Sequence, residues 1–77
     1  MITLYQLNRA GFDSSVIVRY QSLEKVRIMI RDIENGAIMP DIEVYPPING
    51  IYTISDGIHR ICAYLYLGIL TFKTNML

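Results

Sequence analysis

The feature that most constrains the fold is a change of periodicity at Asp56-Gly57. Before it, residues 51–55 are rich in β-branched and aromatic side chains and follow the turn dipeptide Asn49-Gly50, which predicts a strand. After it, apolar residues recur three, four and seven positions beyond Ile58, which predicts an amphipathic helix. A strand that gives way to a helix at a glycine indicates a layered domain of mixed secondary structure.

The other segments predict short strands and one more long helix. In chain order they are a strand over 2–7, a loop over 8–13, a short extended segment over 16–18, a helix over 23–35 capped by Ser22, a strand over 42–45 and a closing strand over 69–73. Gly36 and Gly68 are placed to end the two helices. We therefore expect an α/β (α+β) domain, with a small mixed β-sheet flanked by two main helices.

The composition sets limits on size and partners. A chain of 77 residues predicts a single domain over 1–77, close to the size at which one core barely suffices. Hydrophobic residues make up 52% and charged residues 18%, so apolar side chains exceed what a small core needs, which favours a partner surface. The formal net charge is zero, so the electrostatic footprint of a nucleic-acid binder is missing and DNA binding by the chain alone is not expected.

Cysteine usage and hydropathy indicate the setting. Cys62 is the single cysteine, so no internal disulfide forms, and no Cys/His spacing predicts zinc. Its place on the apolar stripe of the second helix favours a small core residue over a nucleophile. There is no signal-peptide pattern and no apolar run long enough to span a membrane, so we expect a soluble, cytoplasmic protein.

The strand-to-helix junction is the candidate site, and it carries Asp56, Gly57, Ile58, His59 and Arg60. Backbone N–H groups, the positive end of a helix and a guanidinium would converge there, which is suited to an anion such as a phosphate. The alternative needs no ligand: Asp56 caps the helix, Gly57 relieves a tight turn, and His59 and Arg60 are solvated.

Arg27 and Arg31 raise a similar choice on the first long helix. They stand one turn apart and could form a basic ridge for phosphates. Glu24 and Glu34 lie three residues from them, so ion pairing on the helix surface is the favoured interpretation.

From residue 23 to residue 72 the order of elements and the junction motif resemble the ParB/sulfiredoxin-like superfamily. Partition proteins of that superfamily carry Gly-Glu-Arg-Arg-x-x-Ala at this junction, and Gly57, Arg60 and Ala63 match it. Sulfiredoxins carry Gly-Cys-His-Arg there, and Gly57, His59 and Arg60 match it. The resemblance implies the superfamily's fold and leaves function open.

The departures from the motifs imply binding rather than catalysis. Ile58 stands where sulfiredoxins have their catalytic cysteine and partition proteins their glutamate, and Cys62 is one turn further on, facing the core. The resemblance thus implies a nucleotide or phosphate site, with or without Mg²⁺, that has no catalytic residue. A nuclease is less favoured, because nothing in the sequence unites Asp41 and Glu43 with Asp56 as metal ligands.

The second helix supplies a different class of function. Tyr64, Tyr66 and Leu67 lie off its main stripe, which leaves it apolar nearly all round. Such a helix is either covered inside the domain or available to a protein partner or a second copy. The alternative to phosphate binding is therefore a small protein-binding inhibitor or regulatory module on a mobile element, with the fold as its scaffold.

Overall fold

The structure has three α-helices, one more than the two main helices expected. The computed structural model describes all residues 1–77, with α1 at Ser14–Gln21, α2 at Glu24–Glu34 and α3 at Ile58–Tyr66. Helix α1 replaces the extended segment expected at residues 16–18. None of the three has the length and hydropathy needed to cross a bilayer.

Helix α1 forms because its N-terminus is capped by a side chain. The Asp13 carboxylate accepts hydrogen bonds from the Val16 backbone N–H at 3.0 Å and the Ser15 hydroxyl at 2.7 Å, and these bonds lower the pKa of Asp13. The cap and packing of α1 against α3 outweigh the weak helix propensity of the β-branched run at 16–18.

The expected cap of α2 is wrong. The Ser22 hydroxyl donates to the Arg19 carbonyl at 2.7 Å, so Ser22 closes α1, and the N-cap of α2 is Leu23. The helix otherwise follows the prediction, with Val26 and Ile30 buried. It ends at Glu34 with Asn35 as C-cap, and the following Gly36 has a φ of +88° and donates its N–H to the Ile33 carbonyl.

Five short strands form two sheets instead of one. The strands are β1 at Ile2–Thr3, β2 at Ile42–Val44, β3 at Ile54–Asp56, β4 at Thr71–Phe72 and β5 at Thr74–Met76. Antiparallel β1 and β4 form one sheet, and the other has the order β3-β2-β5. Strand β2 is antiparallel to β3 and parallel to β5, so the second sheet is mixed.

Three of the observed strands are shorter than the strands predicted from the sequence. After β1 the chain forms a 3₁₀ turn at Leu4–Gln6, and the predicted strand 69–73 is divided between β4 and the approach to β5. The predicted strand 51–55 begins only at Ile54, because the Tyr52 backbone pairs elsewhere: its N–H donates to the Gln6 carbonyl at 2.7 Å.

The core lies where α3 packs against α1, α2 and β2. It consists of 11 buried apolar residues: Ile2, Leu7, Phe12, Val26, Ile30, Ile42, Val44, Ile61, Cys62, Ala63 and Phe72. Cys62 is fully buried, as its position on the apolar stripe predicts. Helix α3 is thus the central element, and its first turn leaves the sheet directly from β3.

Candidate functional site

Gly57 makes the turn from β3 into α3, and its backbone is one that other residues rarely adopt. It is buried, it is the N-cap of α3, and its φ is +120°. A Cβ at this position would lie 2.7 Å from Ile42 Cδ1 and 3.3 Å from Arg60 Nη2. The tight strand-to-helix turn therefore depends on glycine both for its conformation and for the space around it.

The prediction that Asp56 caps α3 is wrong. Asp56 is the last residue of β3, and its carboxylate accepts a hydrogen bond from Arg60 Nη2 at 3.1 Å, the only ion pair in the structure. The carboxylate is therefore turned toward a side chain one helical turn away.

Arg60 is directed inward and ties three segments together. Its Nη1 donates to the carbonyls of Pro40 at 2.8 Å and Asp41 at 2.7 Å, while Nη2 reaches Asp56. Its side chain is only 12% exposed. A guanidinium has five N–H donors, and three of them are used in these bonds. Arg60 therefore positions the α3 N-terminus against the segment that leads into β2.

His59 contacts a different part of the molecule. Its ring meets that of Tyr20 in α1 edge-on, with centroids 5.0 Å apart and planes at 81°. Burial lowers the pKa of His59, the Lys25 charge lowers it further, and Asp56 partly offsets both. Burial and Lys25 therefore favour the neutral form of the imidazole. Ile58, next to it, packs against the core and offers no functional group.

A hollow of about 410 Å³ lies where α1 meets α2, and Tyr20 connects it to His59. It is lined by Arg19, Tyr20, Ser22 and Leu23. Of the five residues singled out in the sequence, His59 has a ring contact with Tyr20, which lines this hollow. The others form the turn (Asp56, Gly57), pack on the core (Ile58) or brace the fold (Arg60).

Sequence reasoning missed Arg19, Tyr20 and Lys25 as neighbours of the junction. The extended segment predicted at 16–18 does not bring Arg19 and Tyr20 to the junction, whereas helix α1 does. The sequence 13–15, Asp-Ser-Ser, was the available signal, since an Asp or Ser N-cap before apolar residues spaced as a helix marks a helix start.

The acidic residues near the junction form no metal site. Glu43 is the register partner of Asp56 across β2 and β3, a neighbour relation that the sequence did not reveal. No group of three or more His, Cys, Asp or Glu side chains in the structure could hold a metal ion. The Asp56 carboxylate is in addition paired with Arg60.

The apolar residues on the outer sides of α3 have different environments. Tyr64 is half-buried and stacks on Phe72, with ring centroids 5.8 Å apart, and Leu67 packs against the core. Tyr66 is 64% exposed. Of the three residues on which a partner surface is predicted, Tyr66 is exposed, while Tyr64 and Leu67 are half-buried.

Comparison with known proteins identifies the architecture. No family model matches the chain, and no curated protein matches it. Among solved structures, the crystal structure of sulfiredoxin from Arabidopsis thaliana superposes with a TM-score of 0.69, over 99% of this chain and 80% of that chain. The chain has a sulfiredoxin-like fold. The fold implied by the ParB/sulfiredoxin-like resemblance is therefore confirmed, and at 22% identity the likeness extends to the fold alone.

Within this sulfiredoxin-like domain, the one thiol is unsuited to nucleophilic attack. Cys62 is fully buried, and burial raises the pKa of its thiol to about 11. The thiol is therefore protonated at neutral pH and shielded from any substrate. Ile58 occupies the place at which the Gly-Cys-His-Arg motif would supply a cysteine.

Proposed function

We propose that this domain binds a nucleotide or another phosphate compound without transforming it, and that the ligand lies in the hollow beside His59. The observation that carries the proposal is the contact of the His59 ring with Tyr20, which lines that hollow, at the N-terminal turn of α3. This contact brings a histidine, a helix N-terminus and an aromatic ring to one place.

The charges around this hollow favour an anion. Arg19 lines it, and Lys25 is near enough to lower the pKa of His59. No side chain caps α3, so the positive end of its dipole is not neutralised by a capping carboxylate. The Tyr20 ring offers a face for a base, and 410 Å³ is within the range of small-ligand pockets.

The proposal includes no chemical step. Ile58 cannot attack or transfer a proton, Cys62 is buried and protonated, and no group of three or more His, Cys, Asp or Glu side chains could hold a metal ion. Arg60 contributes as a positioning residue, because its bonds to Pro40 and Asp41 fix the turn that presents His59.

The test is a calorimetric titration with a nucleotide panel, with and without Mg²⁺. We expect Arg19→Gln to weaken the best ligand about tenfold, because Arg19 lines the hollow and the substitution removes one charge-assisted hydrogen bond. Lys73→Gln is the matched control, because Lys73 is exposed, lies between β4 and β5 and lines no hollow. Absence of heat for every nucleotide and for inorganic phosphate would refute the proposal.

A second readout uses His59 itself. A phosphate bound beside the imidazole stabilises its protonated form, so the pKa of His59 should rise when ligand is added. Proton NMR of the single histidine follows this pKa directly. An unchanged pKa at saturating ligand would place the ligand elsewhere.

A protein-binding module is the second candidate, and the hairpin between β2 and β3 favours it. Tyr45, Ile48 and Ile51 are exposed there and line a hollow of about 560 Å³. We infer that a second copy can cover this surface. Light scattering should show association that Ile48→Asp abolishes and that Ile38→Asp, on an exposed residue outside the hairpin, leaves unchanged.

A further inference from the structure

A third hollow, of about 280 Å³, lies where the end of α1, the outer face of α2 and the last residue of α3 meet. It is lined by Gln21, Arg27, Ile30, Arg31, Glu34 and Tyr66. Of these, Tyr66 is the last residue of α3, about 12 Å along the helix axis from the junction with β3. The proposed nucleotide site and this hollow share no lining residue.

Its positive charge is not neutralised by ion pairs. Arg27 and Arg31 are four residues apart on α2 and so lie on one face of the helix. The pairing expected with Glu24 and Glu34 is not formed, since the only ion pair in the structure joins Arg60 and Asp56. The hollow is therefore lined by two guanidiniums, of Arg27 and Arg31, and by one carboxylate, of Glu34, so its net charge is positive.

The surroundings of the two arginines are fixed by the fold. Ile30 is buried and belongs to the core, so it gives the hollow a rigid apolar floor. Gln21 Nε2 donates to the Cys62 carbonyl at 3.0 Å, which holds that side chain in one orientation. The side chain of Tyr66 completes the rim. A ligand would thus meet a wall that is already ordered, with little side-chain freedom to lose on one side.

We propose that this hollow binds a phosphate dianion, with Arg27 and Arg31 as its donors. Guanidinium groups match phosphate oxygens in a bidentate geometry, and two of them match the charge of a phosphate dianion. The volume is at the low end for small-ligand sites, which suits a phosphate group rather than a whole nucleotide. The group can come from free phosphate or from a phosphomonoester.

The test is a titration with inorganic phosphate at constant ionic strength, followed by NMR of the arginine Nε–H signals. Saturable shifts are expected at Arg27 and Arg31. Arg31→Gln should raise the dissociation constant about tenfold, and Lys73→Gln should leave it unchanged. Glu34→Gln should tighten binding about two- to fivefold, because it removes the one negative charge from the hollow.

Two further measurements identify the source of the phosphate group and distinguish this hollow from the proposed nucleotide site. Tighter binding of phosphoserine than of inorganic phosphate assigns the site to phosphomonoesters, and equal binding assigns it to free phosphate. The ring signals of His59 report the other site, so failure of one proposal leaves the other testable. Linear shifts without saturation, or an unchanged dissociation constant in the Arg27→Gln/Arg31→Gln protein, would overturn the proposal.

Discussion

Replacement of Gly57 by alanine tests the local geometry that positions the candidate site. The new Cβ would lie 2.7 Å from Ile42 Cδ1, which is closer than van der Waals contact allows. Ile42 is 1% exposed, so the surrounding core prevents its side chain from moving away. The backbone φ of +120° would in addition have to be adopted by an L-residue with a side chain. We expect Gly57→Ala to destabilise the fold by two separable mechanisms.

The magnitude follows from the two contributions. The backbone conformation costs about 1–3 kcal/mol, and overpacking of a core by one methyl group costs about 1–3 kcal/mol. The smaller entropy of the unfolded alanine chain returns about 0.4–1 kcal/mol. The net loss of about 1–6 kcal/mol is large beside the total of about 4–12 kcal/mol expected for a domain of 77 residues. Each kcal/mol lost corresponds to a fall in Tm of about 4–8 °C.

Urea denaturation of the wild type, Gly57→Ala, Ile42→Val and the double variant separates the packing contribution from the backbone contribution. Ile42→Val removes the Cδ1 atom that the new methyl meets, so the double variant should recover about 1–3 kcal/mol as a coupling energy. Gly36→Ala is the matched control, because its φ is +88° and a Cβ there meets nothing within 4 Å. If Gly57→Ala costs no more than Gly36→Ala, or if the cycle shows no coupling, the packing explanation is wrong.

Further expectations concern the residues around this turn. Arg60→Ala should lower stability by about 2–4 kcal/mol in urea denaturation, since it removes three hydrogen bonds from a charged donor. The pKa of His59 is lowered in the fold, so the unfolded chain binds more protons and stability should decline as pH falls below about 6.5; His59→Gln should remove this dependence. Cys62 should react with iodoacetamide at pH 8 far more slowly than a free thiol, because burial raises the pKa of its thiol to about 11. The purified protein should show no ATP-dependent reduction of a sulfinic peroxiredoxin, because Ile58 replaces the nucleophile; robust reduction would contradict this.

Elements set by local periodicity were predictable. Helices α2 and α3 and strand β2 lie within two residues of their expected bounds, because Val26, Ile30, Ile61 and Cys62 mark continuous apolar stripes. Helix α1 differs from the extended segment predicted at 16–18, because the Asp13 cap and packing against α3 outweigh the β-branched propensity of that segment. The parallel pairing of β5 with β2 was missed as well, since it joins residues about 30 positions apart and has no local signal.

The candidate site was predictable as a place in the chain but not as a set of contacts. The sequence located a strand-to-helix turn with glycine, histidine and arginine, and the structure has that turn. Which way each side chain points depends on segments distant in the chain: His59 meets Tyr20, and Arg60 reaches the carbonyls at Pro40 and Asp41. Backbone carbonyls carry no residue-specific signal, so the structural task of Arg60 could not be inferred.

The inward bonds of Arg60 bear on how such motifs are used to assign function. An arginine that joins the start of a helix to the segment before a neighbouring strand is needed for folding whether or not a ligand binds beside it. Sequences that have lost the chemistry can therefore keep Gly-x-His-Arg for folding alone. A motif search that scores this arginine as a marker of activity would count a residue whose bonds to Pro40, Asp41 and Asp56 already explain its presence by folding.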